Sequence, residues 1–238
     1  MMIDFDTVLF DLDGTLLPIE IDEFLERYFT LLTDEFTDLA PPEEFIRFLY
    51  QATEKMLKND GKKTNRQVFV EHFFKLIGVE DEDKVMKRFA HFYREKYPQL
   101  QKGIKIKPEA VKLVNLIKEQ GFMMVIATNP LFPQSAIVER IKWAGLDSSD
   151  FSYITSYENM HYSKPDLNYY REILNKISRE PEGCIMVGND VQEDIIAGEI
   201  GMRTYLVEDF LIDRKEGDIK PDWRGTIAEL YNYFESLF

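Results

Sequence analysis

Five short β-branched or apolar runs, at residues 7–11, 122–128, 151–155, 184–188 and 203–207, narrow the fold more than any other feature of the chain. Several are apolar throughout, as strands buried on both faces are. Helical patterns alternate with the later four. Residues 107–120 carry Val111, Val114 and Ile117 near helical spacing and stop at Gly121, and residues 134–144 stop at Gly145. Residues 165–177 open on Pro165, and residues 190–200 end at Gly201. Such alternation predicts an α/β fold, a parallel sheet with helices on both faces and right-handed crossovers. Ligands of such sheets gather beyond the carboxyl ends of the strands.

The first run breaks the rhythm. After Asp11-Leu12-Asp13-Gly14-Thr15, about a hundred residues pass without another strand pattern, and all of them read as helix. Residues 21–33 place Phe24, Leu25, Tyr28 and Leu31 on one face. Residues 43–59 follow Pro41-Pro42, Thr64 and Gln67 make a capping box for a helix stopping at Gly78, and residues 81–97 are halted by Pro98. This predicts a helical module inserted into the core, over the strand ends, where a lid would belong. A second capping box, Thr226 with Glu229, opens a last helix through Phe238.

The 29 Lys and Arg stand against 43 Asp and Glu, a net charge of −14. A surface that acidic disfavours nucleic acid and anionic membrane as partners, yet leaves room for a small phosphate ester beside local positive charge or a metal. The single cysteine, Cys184, is flanked by Ile185, Met186 and Val187 and reads as a buried thiol. No basic leader or bilayer-length apolar run is visible, so a cytoplasmic protein, monomer or homodimer, is expected. His72, His91 and His161 are too scattered to form a metal cluster.

Four groups at strand ends carry chemistry. Asp11 and Asp13 lie two apart, so a continuing strand would point both to one face, and Gly14 allows a sharp turn. Two close carboxylates can divide labour, one ionised as nucleophile or metal ligand, the other protonated as acid; a plain turn is the bland alternative. Thr128-Asn129-Pro130 offers a hydroxyl and an amide to anion oxygens, and Ser163-Lys164-Pro165 places an ammonium at a helix start. In Gly188-Asn189-Asp190-Val191-Gln192-Glu193-Asp194, the two aspartates four apart read as one helix face. They suit a hard cation, while Asp190 and Glu193 also suit a helix cap.

Asp11-x-Asp13-Gly14-Thr15-Leu16, Thr128-Asn129, Lys164-Pro165 and Gly188-Asn189-Asp190-x-x-x-Asp194 occur in that order. The set resembles motifs one to four of the haloacid dehalogenase (HAD) superfamily of hydrolases. The resemblance implies a Rossmann-like core of residues 1–17 and 101–238, with residues 18–100 as an all-helical C1-type cap. It implies a Mg2+-dependent phosphatase, acting on a small phosphorylated metabolite through an aspartyl-phosphate. Asp11 would be the nucleophile and Asp13 the general acid and base. Thr128, Asn129 and Lys164 would hold the phosphoryl group, with Lys164 also offsetting charge at the nucleophile. The metal would sit on Asp11, the Asp13 carbonyl and Asp190, with Asn189 and Asp194 as further candidates.

Relatives that cleave carbon–halogen bonds usually lack the second aspartate, so Asp13 favours phosphoryl chemistry. The alternatives are a sugar-phosphate mutase of the same superfamily and a binder of phosphorylated ligands or partners without turnover. The fourth motif departs from the common Val-Gly-Asp by placing Asn189 first. Asp190 is the metal ligand expected here, because Mg2+ binds carboxylate better than amide. In the insert, Lys55, Lys58, Lys62, Lys63, Arg66 and Lys75 read mostly as a solvated face, and Glu20, Phe24, Tyr28 and Phe29 as packing that could border the pocket.

Overall fold

The computed structural model describes residues 5–215 and 217–236. Its centre is six parallel strands: β1 (Thr7–Phe10), β2 (Met123–Ile126), β3 (Tyr153–Ile154), β4 (Cys184–Gly188), β5 (Arg203–Val207) and β6 (Trp223–Gly225). They lie in the order β3-β2-β1-β4-β5-β6. The order reverses between β1 and β4, the kind of crevice in which doubly wound sheets bind ligands. Register aligns the exits: Phe10 pairs with Ile126 of β2 and Val187 of β4. Asp11, Thr128 and Asn189 therefore leave the sheet at one edge.

Strand alternation divides the core into two layers. Val8 and Phe10 face one side with Ile126 and Val187, joined there by α5 (Pro108–Glu119), α6 (Gln134–Trp143) and α8 (Ile227–Glu235). Leu9, Val125 and Met186 face the other, under α7 (Leu167–Ile177) and a 3-10 turn at Ile195–Ile200. Cys184 is buried in this second layer. Burial pushes its thiol up to about 11.

Between β1 and β2 stand four helices, α1 (Ile21–Asp34), α2 (Pro42–Leu57), α3 (Asn65–Ile77) and α4 (Glu82–Glu95). Their aromatic faces, through Phe24, Tyr28 and Phe92, join the first layer without a break, as does Tyr97 just after α4. The start of α3 is tied to the core by backbone bonds, Asn65 N–H to Met160 C=O (2.8 Å) and Arg66 N–H to Tyr157 C=O (2.7 Å). The Asn65 side chain, fully buried, also donates to Ser163 Oγ at 3.1 Å. Among the described residues no helix is long and apolar enough to cross a membrane.

Several expectations need correction. Both capping boxes form as read, although the expected helix end at Phe238 lies outside the described residues. Helix α4 ends at Glu95, just short of Pro98, which sits in the 3-10 turn that follows, Tyr97–Gln101. Helix α7 starts at Leu167, not Pro165, and its N-cap is Asp166, whose carboxylate accepts from Asn168 N–H at 2.8 Å. The acid favoured by a helix N-terminus is thus Asp166. No α-helix spans 190–200: turns run to a 3-10 segment, because Asp190 and Asp194 spend their side chains on local backbone and tertiary partners. Strand β6 leaves no clear strand pattern in the sequence, because only three residues, with Arg224 exposed in the middle, pair with β5.

Candidate active site

The turn after β1 brings Asp11 and Asp13 to one place. Asp11 N–H still donates to Val187 C=O at 2.9 Å, as a strand residue would. Then Gly14 turns at φ 81°, and Gly14 N–H and Leu17 N–H close the loop onto Leu17 C=O and Leu12 C=O. A side chain at Gly14 would be strained by that φ, and its Cβ would lie 2.5 Å from Asn189 Nδ2. Asn189 is packed against this turn. Thr15 Oγ1 lies 3.0 Å from Asn189 Oδ1 and 3.2 Å from Asp11 Oδ2, its one proton shared between them.

A cavity of about 190 Å3 lies over these strand ends and is lined by Asp11, Asp13, Thr128, Asn129, Asn189 and Asp190. Asp194 reaches it too. Lys164 stands behind it, buried, with Nζ donating to Asp11 Oδ1 (3.0 Å) and Asp194 Oδ1 (2.6 Å). Burial works against this ammonium, but the carboxylates of Asp11 and Asp194 outweigh it and hold its pKa well above the ordinary lysine value. All eight residues singled out from the sequence thus converge.

Asp13 has a partner that the motifs did not reveal. Arg140 of α6, almost wholly buried, forms an ion pair with Asp13 Oδ2, and its guanidinium lies 4.6 Å from the Phe132 ring centroid. Asp13 Oδ1, also buried, has no hydrogen-bond partner among the described residues. Burial raises the Asp13 pKa, Arg140 pulls against it, and the neighbouring Asp11 charge adds to the rise. A signal for Arg140 did exist: it shares a helix face with Ala136, Ile137 and Ala144, where a lone charge in an apolar stripe calls for a buried partner.

The fourth motif is arranged by its own carboxylates. Asp190 Oδ1 accepts from Gln192 N–H (3.0 Å) and Glu193 N–H (2.9 Å), the cap-like role anticipated for it. Both its oxygens also meet Arg214 Nη1, at 2.8 and 2.7 Å. Glu193 does not reach back as a capping-box partner; its Oε2 accepts from Asn129 Nδ2 at 3.1 Å. Asp194 Oδ2 accepts from Asp190 N–H at 2.9 Å. That side chain folds so closely over β4 that a Cβ at Gly188 would sit 2.1 Å from it. The carbonyl of Thr128, a residue of the cavity wall, is pinned by Tyr169 Oη (2.9 Å) and Thr155 Oγ1 (2.7 Å).

With a Rossmann-order sheet, paired aspartates and a buried lysine at its switch point, the comparison with known proteins is direct. Residues 5–200 match the haloacid dehalogenase-like hydrolase family, and the chain belongs to that family. It is 24% identical over 214 residues to the pyrophosphatase PpaX of Halalkalibacterium halodurans, covering 86% of this chain and 84% of that protein. Among solved structures, a HAD phosphatase from Thermococcus onnurineus superposes with TM-score 0.59 at 20% identity, covering 96% of this chain and 97% of that one. A 2-haloacid dehalogenase from Pseudomonas syringae gives 0.64 at 17% identity, over 98% and 100%. These two likenesses concern the fold.

Proposed function

We propose that the chain is a Mg2+-dependent phosphoric monoester hydrolase that works through an aspartyl-phosphate at Asp11. The observation that carries this reading is the inequality of two carboxylates in one cavity. Asp11 lies against a charged, buried ammonium, while burial raises Asp13 toward its neutral form. The names of the pyrophosphatase relatives agree with phosphoryl chemistry.

In the first half-reaction a carboxylate oxygen of Asp11 attacks phosphorus, and the bond from phosphorus to the leaving alcohol breaks as Asp13 gives that oxygen a proton. Asp13 Oδ1 is the atom left to carry the proton, since Oδ2 is taken by Arg140. In the second, Asp13 takes a proton from the attacking water, and phosphate leaves Asp11. Thr128 and Asn129 hold the phosphoryl oxygens, and Lys164, bonded to Asp11 Oδ1, aims the nucleophile and offsets charge beside it. Asp11→Asn, nearly isosteric, should fold normally, lose about a thousandfold or more in phosphate release, and form no acid-stable phosphoenzyme. Near wild-type turnover in that variant would rule out Asp11 as nucleophile.

The donors suit a sparse metal site. Among the described residues no three His, Cys, Asp or Glu side chains group around one point. Mg2+ commonly takes one or two carboxylates and completes its shell with water and substrate phosphate, so Asp11, the Asp13 carbonyl and one oxygen of the fourth motif would suffice. Bound there, it would neutralise charge between the nucleophile and the phosphate. Asp190 was the fourth-motif ligand expected from the sequence. Its commitment to Arg214 and two backbone N–H groups instead favours Asn189, which touches the Asp11 turn through Thr15. Asn189→Ala should therefore raise the Mg2+ concentration for half-maximal activity about tenfold, and Asp190→Asn by much less. The reverse order in a Mg2+ titration would return the role to Asp190.

A further inference from the structure

A second cavity adjoins the first. It holds about 140 Å3 between the inserted helices and the loop after β2. Phe29 of α1, Leu49 and Thr53 of α2, Phe69 of α3 and Phe89 of α4 wall it. Leu131 and Phe132 belong to the walls of both cavities. Phe132 is the shared partition, half-buried, with Arg140 on its face and the Tyr28 ring 5.4 Å away edge-on.

Among the described residues no charged side chain lines this second space. Its polar side chains end in hydroxyls, and two of them satisfy each other, Tyr28 Oη and Tyr93 Oη at 2.8 Å. Burial raises both phenols well above the ordinary tyrosine value, so they remain neutral. Protein interiors are ordinarily filled to crystal-like density. An open apolar chamber with room for a hydrocarbon group, beside a polar reaction cavity, is therefore a binding feature. A second phosphate or a carboxylate would enter it at a loss, because a desolvated charge finds no charged partner there.

The geometry points to a substrate class: phosphate monoesters of bulky apolar alcohols, with the phosphoryl group over Asp11 and the hydrocarbon past Phe132 between the inserted helices. The inference rests on the monoesterase reading above and specifies what the esterified alcohol is. The same logic disfavours pyrophosphate and phosphorylated carboxylic acids, whose leaving groups would carry charge into that chamber.

The decisive experiment is a series of straight-chain alkyl phosphates, methyl, butyl and octyl, assayed for phosphate release by the full chain with Mg2+. Their alcohols have similar acidity, so differences in kcat/KM report binding of the chain and not leaving-group chemistry. Full burial is worth about fourfold per methylene. A rise of at least about tenfold from butyl to octyl is expected, with pyrophosphate and phosphoglycolate below octyl phosphate. Thr53→Trp, which fills the chamber from α2, should flatten the series. A flat or falling series in the wild-type protein, or pyrophosphate or phosphoglycolate preferred over octyl phosphate, overturns the inference while the monoesterase reading stands. An unchanged slope in a folded Thr53→Trp protein overturns the placement of the chain. Release from no ester, aryl phosphates included, overturns the monoesterase reading itself and this inference with it. The wild-type series decides without the variant should Thr53→Trp fail to fold.

Discussion

Lys164→Met should abolish turnover and destabilise the protein by about 3–5 kcal/mol, the usual cost of removing one partner from a buried charge cluster. The Lys164 side chain is 1% exposed and bridges Asp11 and Asp194, whose own side chains are 12% and 1% exposed. Methionine matches its length and apolar stem, so the loss is electrostatic. Two buried carboxylates would remain with no ammonium between them, and at least one would take up a proton. Burial already raises Asp194 against the pull of Lys164, and removing the lysine raises it further. The sign follows from linkage. A carboxyl whose folded pKa exceeds its unfolded value binds more protons in the native state, so stability falls as pH rises from the ordinary aspartate value through the raised one. Urea denaturation of Lys164→Met should thus show recovery toward pH 4 and the greatest loss at neutral pH. A variant as stable as the wild type at pH 7 would mean that the lysine is not charged in the fold.

Arg140→Met is expected to lower kcat about a hundredfold with a smaller effect on KM, the scale of losing a well-placed general acid. Arg140 holds one Asp13 oxygen and thereby aims the other. Its guanidinium is otherwise under-satisfied, with Nε and Nη2 lacking hydrogen-bond partners among the described residues. It is buried against Phe132 and within 5.8 Å of the Phe24 ring centroid. Without it Asp13 both loses its orientation and rises further in pKa, because Arg140 is the largest influence opposing burial there. The proton donor must be protonated in the free enzyme, so the alkaline limb of kcat/KM should move to higher pH. A limb that stays in place, or moves down, would show that Asp13 does not set it. Arg140→Lys should recover charge but not the planar stacking on Phe132, and so restore activity only in part.

Local interactions were the legible part of this chain. Thr64 with Gln67 and Thr226 with Glu229 form their capping boxes, and Gly78 ends α3 at φ 67°, because each involves residues within one helical turn. The apolar runs were legible as strands for a similar reason: a strand buried on both faces must be apolar along its length. The reaction cavity followed from them, since motifs at the carboxyl ends of neighbouring parallel strands meet once the register is aligned.

What the sequence by itself determined, then, was the α/β architecture, the helical insertion after Asp11-x-Asp13 and the family to which the motifs belong. Only the tertiary structure decided which groups those motifs touch. Arg140 reaches Asp13 across 127 residues of sequence, and Arg214 reaches Asp190 across 24. Both pairings depend on helix and loop placement that no local pattern encodes. The 190–200 segment reads as helix by spacing, yet Asp194 turns its carboxylate to Lys164 and the Asp190 N–H, and this leaves turns instead. The apolar chamber was equally invisible, because Phe29, Leu49, Phe69 and Phe89 look like ordinary core along each helix. Burial is a property of how faces meet, and four amphipathic faces can close completely or leave a space; the sequence specifies the faces, and their packing against the loop at Phe132 specifies the space.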